Sequence, residues 1–161
     1  MSDGTDDEDS EYRLDDVDRG ILFALQRDAR NVTAQEMAES VGVSPSTVRN
    51  RIDNLEERGI IQGYQPVINY EDAGFQLRVL FVATVSPEER HRRAKEALEV
   101  PGVIDVLEML TSQRNLYVEA IATSTRDLAA ITNDLSDRNL EILSSEIITT
   151  HYSQPFGEFE L

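Results

Sequence analysis

The 161-residue sequence contains no cysteine and no tryptophan, and it has only two histidines and a single lysine. The absence of cysteine excludes disulfides and thiolate chemistry, and it fits a cytosolic protein. His91 and His151 are too few to build a histidine-rich metal site within one chain. No apolar run approaches the ~20 residues that a membrane-spanning helix needs. The acidic N-terminus does not have the pattern of a secretory signal peptide, so we expect a cytoplasmic protein without a membrane partner.

Basic residues are also scarce. The sequence has 15 of them against 31 acidic residues, which gives a formal net charge of −16. Nucleic-acid-binding proteins are normally basic, since contacts with phosphates supply much of their affinity. Residues 1–13 hold six acids and one Arg, residues 14–70 nine acids and six Arg, and residues 71–161 sixteen acids and eight bases. A dispersed acidic surface with almost no lysine indicates adaptation to multimolar salt, which we state as a hypothesis. At such a salt concentration the Debye length is about 3 Å or less, so long-range repulsion between an acidic protein and a nucleic acid would be screened.

The N-terminal part predicts a polar tail followed by three short helices. Residues 1–13 are too polar to pack and predict a disordered acidic tail. Asp15 and Asp18 stand where a helix N-cap and its third residue belong, and Thr33 and Glu36 repeat that capping-box spacing. Two capped helices are therefore expected before the third.

Residues 33–59 have the organisation of a helix-turn-helix, with a tight turn at Gly42 and a longer helix that has Ser44 as N-cap and Pro45 as its first residue. Apolar residues recur at i, i+4 and i+7 along the longer helix and predict an inward stripe: Val48, Ile52 and Leu55. The opposite arc is polar, with little negative charge in its first half, and suits a DNA major groove. The alternative is a three-helix bundle whose polar face is merely solvated.

The second half of the chain alternates between strand and helix patterns. The predicted elements are a strand over 77–85, a helix over 86–98 opened by Ser86 and Pro87, strands over 103–110 and 116–122, a helix over 125–137 and a strand over 142–152. This order is the βαββαβ arrangement of ferredoxin-like domains. Between the halves, residues 61–75 predict a β wing or linker, since the β-prone stretch 60–68 is broken by Gly63 and Pro66.

The first predicted strand of the second half is apolar on both faces. Leu77, Val79 and Phe81 lie on one face, and Leu80 and Val82 lie on the other. Both helices of a ferredoxin-like domain cover the same face of the sheet, so the second face needs another cover. We expect a second copy of the same chain to provide it.

The combined pattern over residues 14–152 resembles the Lrp/AsnC (feast/famine) family of transcription regulators, and the charge pattern resembles that of a halophilic archaeal type. The matching residues are Leu14-Asp15, Asp18, Ile21-Leu22, Leu25, Asp28-Ala29-Arg30, Ala38, Val43-Ser44, Val48, Arg51-Ile52, Leu55-Glu56, Gly59-Ile60-Ile61 and Gly63-Tyr64. The resemblance implies an α+β chain with an N-terminal winged helix-turn-helix and a C-terminal ferredoxin-like domain. We place the DNA-binding domain at 14–60, the wing or linker at 61–75, and the effector-binding and oligomerisation domain at 76–161.

The resemblance also implies partners: double-stranded DNA with a palindromic operator, a second copy in a homodimer that assembles further into octamers, and a small effector such as an amino acid. The effector site lies near the turn between the second and third strands, where the family favours Gly-x-x-Asp after a Thr. The corresponding residues here are Thr111, Ser112, Gln113, Arg114 and Asn115. Ser replaces the Gly and Asn replaces the Asp, so α-amino-acid binding is in doubt and Arg114 would favour an anionic ligand. An ordinary hairpin turn in an oligomer interface is the alternative.

The candidate DNA-binding residues lie on the longer helix and at its ends. Ser46, Thr47, Arg49 and Asn50 are candidates for base edges, and Ser44, Arg51 and Arg58 are candidates for phosphates. Arg51 has an alternative role, because it lies toward the inward stripe and could pair with Glu36 or Glu39 instead.

The resulting prediction is a sequence-specific transcription regulator whose C-terminal domain oligomerises and binds a small metabolite. The alternative is a metabolite-binding or oligomerisation module with little DNA binding, in view of the net charge. An enzyme on the ferredoxin-like fold is the third class. It lacks a convergent nucleophile–base pair or metal cluster, so we predict no catalytic residue, no metal and no cofactor.

Overall fold

The computed structural model describes residues 12–160, which form two compact units. The first unit contains the described residues up to Pro66 and those from Tyr152 onward, and the second contains Val67–His151. Residues 1–11 of the predicted tail lie outside the described residues. Tyr12, which the tail prediction included, packs against the helical core. Within residues 12–160 no helix is both long and apolar enough to cross a bilayer.

Three helices build the first unit: α1 (Asp16–Asp28), α2 (Ala34–Val41) and α3 (Pro45–Glu57). Both predicted capping boxes are confirmed, with Asp15 and Asp18 at the start of α1 and Thr33 and Glu36 at the start of α2. A Ser44 cap on α3 is confirmed as well, since its Oγ accepts from the Thr47 N–H at 3.1 Å. These contacts satisfy N–H groups that have no partner inside the helix.

Helix α2 and helix α3 end at left-handed glycines, Gly42 (φ +74°) and Gly59 (φ +70°), which adopt this conformation at little steric cost. The apolar stripes of all three helices meet in one core. Its buried members are Ile21, Leu22, Met37, Ala38, Val48 and Leu55. Val48 and Leu55 are fully buried, so the arc of α3 opposite them faces away from the core.

The C-terminal residues from Tyr152 onward belong to the helical unit, although the sequence pattern predicted one domain over 76–161. A short 3-10 turn, Gly157–Phe159, places the Phe159 ring against the helical core and in edge-to-face contact with Phe156 at 5.0 Å. The Phe156 N–H donates to Gln26 Oε1 of α1 at 3.2 Å. The chain therefore leaves the helical unit after Pro66 and returns to it at its end.

We expect Phe159→Ala to lower the free energy of unfolding of the helical unit by about 1–2 kcal/mol, because a half-buried ring leaves the core. Urea unfolding followed by circular dichroism measures this change. Tyr152→Ala serves as the control from the same segment, since Tyr152 is 89% exposed and its loss should change stability by less than about 0.5 kcal/mol. Equal stability of the two variants would mean that the Phe159 ring contributes nothing to the stability of the helical unit.

The second unit is a four-stranded sheet with two helices. Its elements are β1 (Leu77–Thr84), α4 (Arg90–Leu98), β2 (Val103–Glu108), β3 (Leu116–Ala122), α5 (Thr125–Asp137) and β4 (Glu141–Ile147). The strand order is β2-β3-β1-β4, and all neighbouring strands are antiparallel. This order confirms the predicted βαββαβ arrangement. The core between sheet and helices contains Val79 and Phe81 of β1, Val118 of β3 and Leu135 of α5.

Three predicted boundaries differ from the structure by two residues or more, and one predicted strand is absent. Helix α4 begins at Arg90 and not at Ser86, because residues 87–89 form a turn in which the Glu89 N–H donates to the Ser86 carbonyl at 3.1 Å. Strand β2 ends at Glu108 and β4 at Ile147. Residues 60–68 form no strand. A strand needs a hydrogen-bonded neighbour, so β-prone composition alone does not extend these segments.

Candidate DNA-binding helix and effector turn

The outer arc of α3 presents polar side chains to solvent. Ser46, Arg49 and Asn50 are exposed, while Val48 between them is buried. Among residues 12–160, neither the Arg49 guanidinium nor the Asn50 amide has a side-chain partner, and each is therefore free to bond outside the chain. An arginine and an asparagine are the side chains best suited to bidentate contacts with guanine and adenine.

The hydroxyls at the start of α3 form a small network. Ser44 Oγ lies 2.9 Å from Ser46 Oγ and 2.8 Å from Thr47 Oγ1, besides accepting from the Thr47 N–H. The Ser44 and Thr47 hydroxyls thus hold the first turn of α3 in shape. Ser46 remains exposed at the end of this network.

Arg58 caps the other end of α3 and is held in one orientation. Its Nε donates to Asn54 Oδ1 at 2.9 Å, and its guanidinium carbon lies 4.3 Å from the centre of the Tyr12 ring. A cation over an aromatic face is attracted by the ring quadrupole. Because Arg58 is exposed, its guanidinium can still reach a phosphate.

Arg51 is engaged within the helical unit. Its Nη1 lies 2.9 Å from Asp15 Oδ2 and 3.2 Å from Asp18 Oδ1, both at the start of α1. The ion-pair alternative therefore describes Arg51, but the expected partners were wrong. Glu36 caps α2 through Thr33, and these hydrogen bonds lower the pKa of Glu36.

Glu39, the other expected partner of Arg51, accepts from Gln35 Nε2 at 2.8 Å. Tyr12 also belongs to this site, although it was not among the predicted DNA-binding residues. Its hydroxyl donates to Asp18 Oδ2 at 2.7 Å, and its ring supports Arg58. The available signal was weak: a single aromatic residue that closes an acidic run just before the first helix.

The turn between β2 and β3 exposes four of its five candidate effector residues, Thr111, Ser112, Gln113 and Arg114. Thr111 Oγ1 donates to the Gln113 carbonyl at 2.7 Å, which closes the turn. Arg114 has a left-handed backbone (φ +51°), and its N–H donates to Thr84 Oγ1 at 2.9 Å. The turn is thereby anchored to the end of β1 with the Arg114 side chain exposed.

Asn115, the fifth candidate, is fully buried. Its Oδ1 accepts from the Val85 N–H at 2.9 Å, and its Nδ2 donates to the Val85 carbonyl at 2.8 Å. The amide thus satisfies both backbone groups of Val85 where β1 ends. A ligand cannot use this amide unless these bonds break, so the structure contradicts a direct effector contact by the Asn115 side chain.

Comparison with known proteins decides the family. Residues 14–62 match the family model described as winged helix-turn-helix DNA-binding. An uncharacterised HTH-type transcriptional regulator of Pyrococcus furiosus is 31% identical over 115 residues, which are 71% of this chain and 76% of the relative. The HTH-type transcriptional regulator LrpA of Mycobacterium tuberculosis is 29% identical over 87% of this chain and 93% of its own length. The chain belongs to the Lrp family of DNA-binding transcription regulators.

Solved structures support the same fold for both units of this Lrp-family chain. The crystal structure of LrpA from Mycobacterium tuberculosis covers 88% of the chain with a TM-score of 0.74 at 27% identity, and 96% of that protein is matched. A transcriptional regulator from Neisseria meningitidis, solved as a complex with L-Met, covers 89% of the chain with a TM-score of 0.71. It is 22% identical and 94% of it is matched, which supports the shared fold. Membership of this family confirms the predicted fold, a winged helix-turn-helix followed by a C-terminal α+β domain. It also confirms the predicted function class, a transcription regulator and not an enzyme.

Proposed function

We propose that this regulator recognises its operator through the outer arc of α3. Arg49 and Asn50 read base edges, with Ser46 and Thr47 beside them. The observation that carries this proposal is that Arg49 and Asn50 are exposed and unpartnered within residues 12–160, on the arc opposite the fully buried Val48. Phosphate contacts come from Ser44 and Arg58, because phosphates need only a donor at the edge of the groove.

Arg51 has a different role in this proposal. It holds α3 against α1 through Asp15 and Asp18, and an arginine already paired with two carboxylates has little charge left for a phosphate. We therefore remove Arg51 from the proposed phosphate contacts.

A second copy of the chain covers the open face of the sheet. Leu80 and Leu107 lie on this face, and Leu107 is 50% exposed, whereas α4 and α5 contribute to the core on the other face. A two-fold dimer would present two α3 helices and require a palindromic operator. Dimers can assemble further into octamers. Light scattering in molar KCl measures the assembly, and a monomer at micromolar protein would contradict this part of the proposal.

The effector site is the turn formed by Thr111, Ser112, Gln113 and Arg114. These four side chains are exposed and offer hydroxyl, amide and guanidinium groups, and Arg114 can pair with the carboxylate of an amino acid or another anionic metabolite. The L-Met complex of the Neisseria meningitidis regulator makes an amino acid a reasonable first probe. Equilibrium binding of an amino-acid panel tests the site. If none binds in a saturable manner, the turn is an ordinary connection and not an amino-acid site.

The cytoplasm of a halophilic archaeon suits this charge pattern. Carboxylates bind water and keep a protein soluble in multimolar salt, and the sequence carries 31 of them against one lysine. Circular dichroism across a KCl series tests the adaptation. A protein that stays equally folded in dilute buffer would refute it.

The experiment that tests the main proposal is binding to the promoter of the protein's own gene and to a scrambled duplex across a KCl series. We expect preference for the promoter that persists into molar KCl with a shallow salt slope, because short-range base contacts are screened less than phosphate contacts. Equal binding to both duplexes at every salt concentration would favour the alternative, a metabolite-binding or oligomerisation module with little DNA binding.

A further inference from the structure

Asp18 is the one charged side chain that is fully buried among residues 12–160. It lies in the first turn of α1, where a carboxylate also suits the helix dipole. A buried carboxylate is costly unless hydrogen bonds and an opposite charge replace its water. The groups that bind the Asp18 carboxylate must therefore compensate for the cost of its burial.

Three groups converge on the Asp18 carboxylate. Oδ2 accepts from the Tyr12 hydroxyl at 2.7 Å and from the Asp15 N–H at 3.3 Å, and Oδ1 lies 3.2 Å from Arg51 Nη1. The hydrogen bond to Asp18, with burial as a second cause, raises the pKa of Tyr12. Asp18 thus joins the segment before α1 to the middle of α3, 33 residues further along the chain.

Tyr12 also contacts α3 at a second residue, Arg58. While its hydroxyl binds Asp18, its ring lies under the Arg58 guanidinium at 4.3 Å, and Arg58 Nε binds Asn54. Helix α3 is therefore held at Arg51, near its middle, and at Arg58, its C-cap. The two points are seven residues, or ~10 Å, apart along the helix axis.

The apolar stripe of α3 cannot supply the same control by itself. Hydrophobic burial is non-directional, so Val48 and Leu55 would tolerate small rotations of the helix about its axis. Charge-assisted hydrogen bonds have defined distances and angles. A rotation that breaks the Asp18–Arg51 contact also turns Arg49 and Asn50, because these residues precede Arg51 on the same rigid helix.

We propose that Tyr12, Asp18 and Arg51 are positioning residues for operator recognition, which fix the rotation of α3 and the placement of Arg58. This inference rests on the proposed function, since it assumes that α3 reads bases. Tyr12 thus influences operator recognition without contacting DNA itself. In the same way, Arg51 positions α3 against α1 and does not contact a phosphate.

Two conservative variants of the full chain test the positioning role. Tyr12→Phe keeps the ring under Arg58 and removes one hydrogen bond, and Asp18→Asn keeps the shape and removes the charge. We expect Asp18→Asn to lower the ratio of promoter to scrambled-duplex affinity about 10-fold, the value of one base contact, and Tyr12→Phe to lower it less. Affinity for the scrambled duplex should change much less, because both variants keep the Tyr12 ring under Arg58 and phosphate contacts tolerate small rotations of α3.

A merely structural role would lower both affinities together, in proportion to the folded fraction seen by circular dichroism. Folded variants with the wild-type affinity ratio would overturn the proposal. If Asp18→Asn does not fold, Tyr12→Phe alone decides. Failure of the proposed function is distinguishable, because the wild-type protein would then show no preference for its promoter.

The salt dependence of DNA binding tests the positioning role of Arg51 separately. Arg51→Gln should leave the slope of log affinity against log salt unchanged. Arg58→Gln should reduce the magnitude of this slope by about one, the value for a single phosphate that the arginine neutralises. Equal reductions in both variants would show that Arg51 contacts DNA, and that part of the inference would be wrong.

Discussion

The Arg49→Ala/Asn50→Ala double variant should bind the promoter about 100-fold more weakly than the wild type, since each bidentate base contact is worth about 1–3 kcal/mol. The fold should persist, because both side chains are exposed and have no partner within residues 12–160. Affinity for a scrambled duplex should fall much less. Fluorescence anisotropy with the two labelled duplexes at one KCl concentration measures all four affinities.

The matched control is the neighbouring pair Arg30→Ala/Asn31→Ala. It removes the same two residue types and the same charge from the same unit, but from the turn between α1 and α2. Within residues 12–160 the Asn31 side chain bonds to its near neighbour Asp28, at 2.9 Å and 3.1 Å, so little stability depends on it. If both double variants weaken promoter binding equally, the effect is electrostatic and α3 does not read bases.

The Asn115→Asp variant should lose about 3–5 kcal/mol of unfolding free energy at pH 7, the usual cost of a buried charge without a partner. The wild-type Nδ2 donates to the Val85 carbonyl at 2.8 Å, and a carboxylate would set two acceptors against each other. Aspartate is the residue that the family pattern favours here. Introducing aspartate at position 115 should therefore destabilise the sheet unit and should not create a binding site for the α-ammonium group of an amino acid.

The loss should depend on pH with a defined sign. Burial raises the folded-state pKa of the new carboxyl above its unfolded value of about 3.9. A protonated carboxyl can donate to the Val85 carbonyl, so stability is retained below about pH 4 and lost as the pH rises through the folded-state pKa. Urea unfolding at several pH values between 4 and 7, on the order of one unit apart, measures the trend.

Gln113→Glu is the control for this variant. It adds the same charge two residues earlier in the same turn, where the side chain is exposed, and should change stability by less than about 0.5 kcal/mol. If Asn115→Asp proves as stable as Gln113→Glu at pH 7, the buried amide has no structural role. Asn115 would then return to the candidate effector residues.

Helix caps and the succession of helices and strands along the chain could be predicted from the sequence because they depend on residues close together in the chain. Asp15 caps α1 through Asp18, three residues away, and Thr33 caps α2 through Glu36 at the same spacing. The apolar residues at successive positions of β1 likewise predicted a strand with two apolar faces. Such signals are local, so any fold that contains these segments must respect them.

Side-chain partners distant in the chain could not be predicted in this way. Arg51 pairs with Asp15 and Asp18 and not with Glu36 or Glu39, and Asn115 binds Val85. The choice among equally suitable carboxylates depends on which helix faces meet when the core packs.

The sequence therefore suffices for the three helices of the first unit, the βαββαβ succession of the second and the Lrp family, but not for every element boundary. The position of Arg51, the burial of Asn115 and the return of Phe159 to the helical unit depend on the tertiary structure. The physical reason is that local hydrogen bonds form between neighbours in the chain, whereas packing brings together surfaces that no local pattern connects.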